Sequence, residues 1–140
     1  MNPILQNAIG YTYYDEEKQV IRYKLSGLVK SSLIIEHLKA VEEFSKKNQV
    51  LAAIADITAL RGTYKKTFDY FKNHYYPVMG KQGQICSAIL VSEDIITHFL
   101  SNEMKVLSTE VIIRNFINED EAEKWIEKMI VKHKKKYHLK

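Results

Sequence analysis

The sequence predicts a single α/β domain with a mixed five-stranded sheet and about four helices, and three observations carry that expectation. Two apolar runs, Val50 to Ile57 and Ile85 to Val91, have the length of strands and no polar alternation, as strands covered on both faces do. Segments with apolar residues at helical spacing separate and follow these runs. An alternating, β-prone hairpin precedes both. Helices placed between interior strands demand right-handed crossovers, so the later strands should be mostly parallel and the hairpin the antiparallel part of the sheet.

Each element follows from its residues. Tyr11 to Tyr14 and Val20 to Leu25 flank a charged turn at Asp15-Glu16-Glu17-Lys18; in the second run Ile21, Tyr23 and Leu25 share one face, while Arg22 and Lys24 share the other. From Ser31 to Asn48, Ile34, Leu38, Val41 and Phe44 recur at helical spacing, with Ser31 or Ser32 as the expected N-cap. The Val50–Ile57 strand comes next. A second helix, roughly Tyr64 to Tyr76, carries Phe68, Phe71 and Tyr75 on one stripe and should stop at Pro77. After the Ile85–Val91 strand, Ser92-Glu93-Asp94 reads as the start of a helix that ends near Lys105. Val111 to Phe116 is the last strand. Asn118-Glu119-Asp120-Glu121 resembles a capping box, and Ala122, Trp125, Ile126, Met129 and Ile130 behind it form the clearest amphipathic stripe in the chain.

Composition limits the function classes. At 140 residues and 46% hydrophobic, the chain suits one core, without repeats or a Ser/Gly-rich linker. Its net charge of +4 rests on Lys132, Lys134, Lys135, Lys136 and Lys140; taking those five away leaves −1. The basic balance therefore describes a tail, residues 132–140, and gives no strong nucleic-acid signal for the body. A lone cysteine, Cys86, excludes an internal disulfide and fits a reducing compartment. The N-terminus lacks the basic flank and apolar stretch of a signal peptide, and no segment has the length of a membrane span, so the expected location is cytoplasmic. The five histidines lack ligand spacing, Cys86 has no positioned base, and Gly80-Lys81-Gln82-Gly83 lacks the context of a phosphate loop. No metal and no cofactor are expected.

Asp56 is the first candidate site residue, because a carboxylate ending an apolar strand must be solvated or hydrogen-bonded. Two readings are open: a pocket shared with Arg61, Glu93 and Asp94 at neighbouring strand ends, or a turn residue accepting backbone N–H groups around Ile57 to Ala59. Lys65, Lys66 and Lys72, with Arg61 and His74, make the following helix locally basic, which suits either an anion or a solvated face. The aromatic set around it, Tyr64, Phe68, Tyr70, Phe71, Tyr75 and Tyr76, exceeds one helical stripe. Tyr70 and Tyr76 are placed off that stripe, with interface or ligand-pocket use weighed against packing.

This combination resembles the STAS group and, within it, the stand-alone SpoIIAA-like branch. The features that carry the resemblance are the hairpin closed by Leu25-Ser26-Gly27, the helix from Ser31, the strand ending Ala55-Asp56-Ile57-Thr58, the strand Ala88-Ile89-Leu90-Val91-Ser92 with Glu93-Asp94 behind it, and Val111 to Phe116 followed by Asn118 to Trp125. It spans roughly residues 10 to 131. The resemblance implies a non-enzymatic module that binds a protein partner or a small ligand, apolar ligands included, held between helices and sheet. Family members that work as phosphoswitches carry a serine after the buried strand. Here Leu60 to Thr67 contains none, and Thr63 and Thr67 are the aliphatic hydroxyls in its place. The expected ligand or partner surface comprises Asp56, Arg61, Thr63, Tyr64, Lys65, Phe68, Tyr75, Glu93 and Asp94. The alternative is a small enzyme using Asp56, Glu93 or Asp94 as acid or base, with Arg61 or Lys65 holding an anionic substrate. Homodimerisation through exposed tyrosines is a further expectation left open.

Overall fold

A computed structural model describes residues 2–62, 65–93 and 110–137. Six strands form one sheet whose spatial order is the chain order: β1 (Asn2–Asn7), β2 (Gly10–Asp15), β3 (Val20–Leu28), β4 (Ala52–Arg61), β5 (Cys86–Leu90) and β6 (Ile112–Phe116). The first three strands pair antiparallel, and β3 through β6 pair parallel, as the hairpin and the interior runs predict. The expected count of five strands is corrected by β1. Its segment, Asn2-Pro3-Ile4-Leu5-Gln6-Asn7, contains a proline and only weak alternation, and an edge strand with a free side tolerates both. Gly10 opens β2 where the chain turns back: a β-carbon there would strike the carbonyl oxygen of Lys24, so the close strand approach requires glycine.

Strand order dictates which face each helix covers. Successive right-handed crossovers stepping in one direction across a parallel sheet place their helices on one side. Accordingly α1 (Ser31–Ser45) and the helical run between β4 and β5 pack together against Ile21, Tyr23, Leu25, Ala53, Ile57 and Ile89. The opposite face is covered by a helix that follows the last strand, α4 (Glu119–Lys136), lying on Val20, Ala52, Ile54, Cys86, Ala88, Leu90 and Phe116 through Ala122 and Ile126. Asn118 caps α4 by accepting from the Glu121 N–H at 3.1 Å, and its acidic first turn and basic last turn both oppose the helix dipole. Lys30, in extended conformation, stands at the cap position of α1, with no side-chain cap bond. That corrects the expectation for Ser31 or Ser32; Ser31 is the first helical residue and its hydroxyl instead accepts from Thr67 at 3.1 Å.

The run between β4 and β5 departs most from expectation. It consists of α2 (Lys65–Tyr70), a π-helical turn (Phe71–Tyr75) and α3 (Tyr76–Lys81) without a break, so Pro77 does not end the helix. Proline stops an α-helix because it lacks an N–H and its ring strikes the carbonyl four residues back. Here the preceding turn is widened: the Tyr76 N–H reaches five residues back to the Phe71 carbonyl, and Pro77 falls in the opening turn of α3, where its missing donor is not needed. The same bond sets Tyr76 over Phe71, with ring centroids 5.4 Å apart and nearly parallel. Tyr75 meets both rings edge-on, at 5.6 Å and 5.2 Å. Tyr75 and Tyr76 are thus both buried, which corrects the placement of Tyr76 off the packed stripe.

Candidate functional site

Between the sheet and the α1/α2 side lies an enclosed cavity of about 40 Å³. Its floor is Tyr23 and Leu25 from β3, Ala55, Ile57 and Leu60 from β4, and Ser87 and Ile89 from β5. Its roof is Ile34, His37 and Leu38 from α1, with Thr67, Phe68, Phe71, Tyr75 and Tyr76 from the helical run. The gap has a local cause: Ala55 and Ser87 are small residues on adjacent strands, set beneath large rings that cannot descend into the space. A cavity this size holds a water or an atom of xenon's size, well below the roughly 150 Å³ that admits benzene.

The lining is apolar except for hydroxyls and one imidazole, and their bonding decides what the cavity offers. Tyr23 and Tyr75 share one hydrogen bond between hydroxyls, 2.5 Å. Two phenols have two protons and one bond uses one of them, so the pair retains an O–H donor. Burial raises the pKa of both, so both stay neutral at ordinary pH. Tyr76 is pushed up to about 12 by burial, with a bond to Ser87 working against it. His37, fully buried, has both ring nitrogens engaged: Nε2 with Asn7 Oδ1 at 2.9 Å and Nδ1 with Thr12 Oγ1 at 2.6 Å. Because Asn7 donates its amide to the Leu33 carbonyl and its oxygen accepts from the Ile9 N–H, His37 Nε2 must donate and Nδ1 must accept. Burial holds the imidazole below its usual pKa, in keeping with this neutral tautomer.

At the rim between α1 and the π-helical turn, Glu42 is buried with a carboxylate that accepts from the Tyr70 hydroxyl at 2.8 Å and pairs with His74 Nε2 at 2.7 Å. Burial raises the Tyr70 pKa, and the bond and charge of Glu42 raise it further. This cluster ties the helical run to α1. Tyr70, expected off the core stripe, is half-buried and spends its hydroxyl there.

The expected site residues separate. Phe68 and Tyr75 line the cavity. Asp56 lies between Ala55 and Ile57, both of which line it, so strand alternation turns Asp56 to the opposite face. There its Oδ1 accepts from the Thr58 N–H at 3.1 Å and the Thr58 hydroxyl at 2.7 Å, the turn-type arrangement. β4 does not stop at Ile57, as expected, but runs to Arg61, with a register shift against β3 between its Asp56 and Ala59 pairs. Arg61 is exposed, and its carbonyl accepts from the Val29 N–H at 2.7 Å. Glu93 is exposed beyond the end of β5, and Lys65 opens α2. Thr63, Tyr64, Asp94 and most of the helix expected from Ser92 lie outside the described residues.

Sequence reasoning did not assign Tyr23, His37, Tyr76 and Ser87 to the site. The signal at Tyr23 was a hydroxyl on a face otherwise filled by Ile21 and Leu25, since a buried phenol demands a partner. Among the described residues, no group of three His, Cys, Asp or Glu side chains could hold a metal ion. No helix among them is long and apolar enough to cross a membrane. No protein-family model matches the chain, and no curated protein sequence does.

Proposed function

We propose that the protein is a non-enzymatic, STAS-like binding module that holds a small, mainly apolar ligand between α1, the helical run and the sheet. The observation that carries this reading is the cavity itself: apolar walls around a phenol pair with one uncommitted O–H. Such a lining selects an apolar molecule with a single acceptor atom, such as a carbonyl or ether oxygen, because a second polar group would be buried without a partner. A ligand larger than the resting gap requires Leu38, Phe68 and Phe71 to move aside. These residues belong to helices that meet the sheet through side chains, so they can shift without breaking a strand ladder. The order of hairpin and parallel strands supports placing the chain beside the SpoIIAA-like branch.

The test combines two measurements. Native mass spectrometry before and after organic extraction reads any retained molecule and its chemical class. Methyl NMR under xenon pressure reads the cavity directly, with shifts expected at Ile34, Leu38 and Ile89 and abolished in Ala55→Leu, which fills the gap. A protein that carries no extra mass and whose cavity methyls ignore xenon would overturn the reading.

A further inference from the structure

At the other end of the parallel strands, the loop entering β5 and the last turns of α4 enclose a groove of about 490 Å³. Ile112, an exposed apolar residue, and Met129 line it. Lys132 and Lys136 stand one turn apart on α4 and face the same groove, and Glu110 also lines it; together the three carry a net charge of +1. Gln84 lines it too, and supplies an independent observation. Its Nε2 donates to the Cys86 carbonyl at 3.0 Å, which fixes the orientation of the amide. The residue is 2% exposed, yet its Oε1 has no hydrogen-bond donor. Few native side chains leave a buried acceptor unpaired, and an incoming donor would relieve the cost.

We propose that this groove is a second binding site, for a small organic monocarboxylate with an apolar body and an N–H donor. The carboxylate pairs with Lys132 and Lys136, the body covers Ile112 and Met129, and the N–H meets Gln84 Oε1 once a small shift of that side chain uncovers the oxygen, which is closed to solvent at rest. The net charge suits one carboxylate better than a dianionic phosphate. Lys136 lies in the last turn of α4, where a cation complements the helix dipole, and its Nζ sits 5.4 Å from the centre of the Tyr137 ring; both lysines are exposed at the surface.

Three probes separate the contributions: N-acetyl-L-phenylalanine has all three features, 3-phenylpropionate lacks the N–H, and N-acetyl-L-phenylalanine amide lacks the charge. NMR titration should show saturable shifts for the first probe at the Ile112 and Met129 methyls and the Gln84 side-chain amide. The other two should bind at least about tenfold more weakly. The double variant Lys132→Ala/Lys136→Ala, altered only at exposed surface positions, should lose at least about tenfold in affinity for the first probe with its other resonances unchanged. Absence of saturable shifts, equal binding of all three probes, or full affinity in the lysine variant would each overturn the proposal. The groove and the cavity report through different methyls, so either site can fail without the other.

Discussion

The two faces of the sheet are built from the same strands and solve packing in different ways. Beneath α4 the strands present Ala52, Cys86 and Ala88, and the helix returns Ala122, so small residues let the layers meet closely while Ile54, Leu90, Phe116 and Ile126 fill the margins. Burial pushes the Cys86 thiol up to about 12, leaving it an inert core group. Beneath α1 and the helical run, small residues are set against large rings, and the misfit leaves a cavity edged by hydroxyls and an imidazole. Close packing comes from matching small with small. Mismatched sizes create space, and polar groups in that space need partners from distant parts of the chain.

The sharpest way to break this comparison is to cut a hole in the close-packed face. Ile126→Ala should destabilise the protein by about 2–5 kcal/mol in denaturant titration, because a well-filled site has little freedom to collapse. A much smaller loss would mean that the α4 side is no better filled than the other. A middle-sized effect is expected from Tyr75→Phe, which leaves the Tyr23 hydroxyl buried without its partner and should cost about 1–3 kcal/mol. Adding Tyr23→Phe should recover most of that loss, and a double-mutant cycle showing additive effects would remove the hydroxyl pair from the argument.

Acid should distinguish the faces by the pH at which each weakens, with the smallest effects of the series. His37 has its folded pKa lowered by burial, so its contribution is present above the usual 6.5 and is lost as pH falls from there towards the folded value. On the α4 side, the bond from Arg22 holds Glu123 below the usual 4.5. That contribution persists through mild acid and fades only as pH falls below 4.5 through the depressed value. Stability against pH should therefore decline in two windows, with His37→Gln flattening the upper one and Glu123→Gln the lower. The Glu123 step should be at most about 1 kcal/mol, because the pair is partly solvated. A single window that neither variant alters would refute the assignment.

The close-packed face was the legible one. The apolar runs and the stripe from Ala122 to Ile130 are local patterns: the runs hold β5 and the first part of β4, which continues to Arg61, and the stripe lies on α4. The cavity face was not, because its deciding contacts are long-range: Tyr23 and Tyr75 are 52 residues apart, and Thr12 and His37 are 25 apart. Pro77 shows the same limit at short range. Its residue type argues for a stop, yet a widened turn just upstream absorbs the missing N–H, and no α-helical periodicity encodes that turn. Asp56 was identifiable as a carboxylate that needed partners, but two outcomes satisfied that need and only backbone geometry selects between them.

Strand order equal to chain order also bears on how the protein is made. As the chain leaves the ribosome, each strand after β1 finds its neighbour already synthesised, and the sheet grows from one edge without waiting for a distant segment to be threaded between existing strands. The helices on the cavity side arrive between the strands they cover, so that layer is laid down during growth. α4 follows all six strands, and the face it covers stays open until they have been made. The apolar surface of Ala52, Ile54, Ala88 and Leu90 is therefore the one a nascent chain exposes longest, and it is where a chaperone or a mispaired neighbour has the most time to bind.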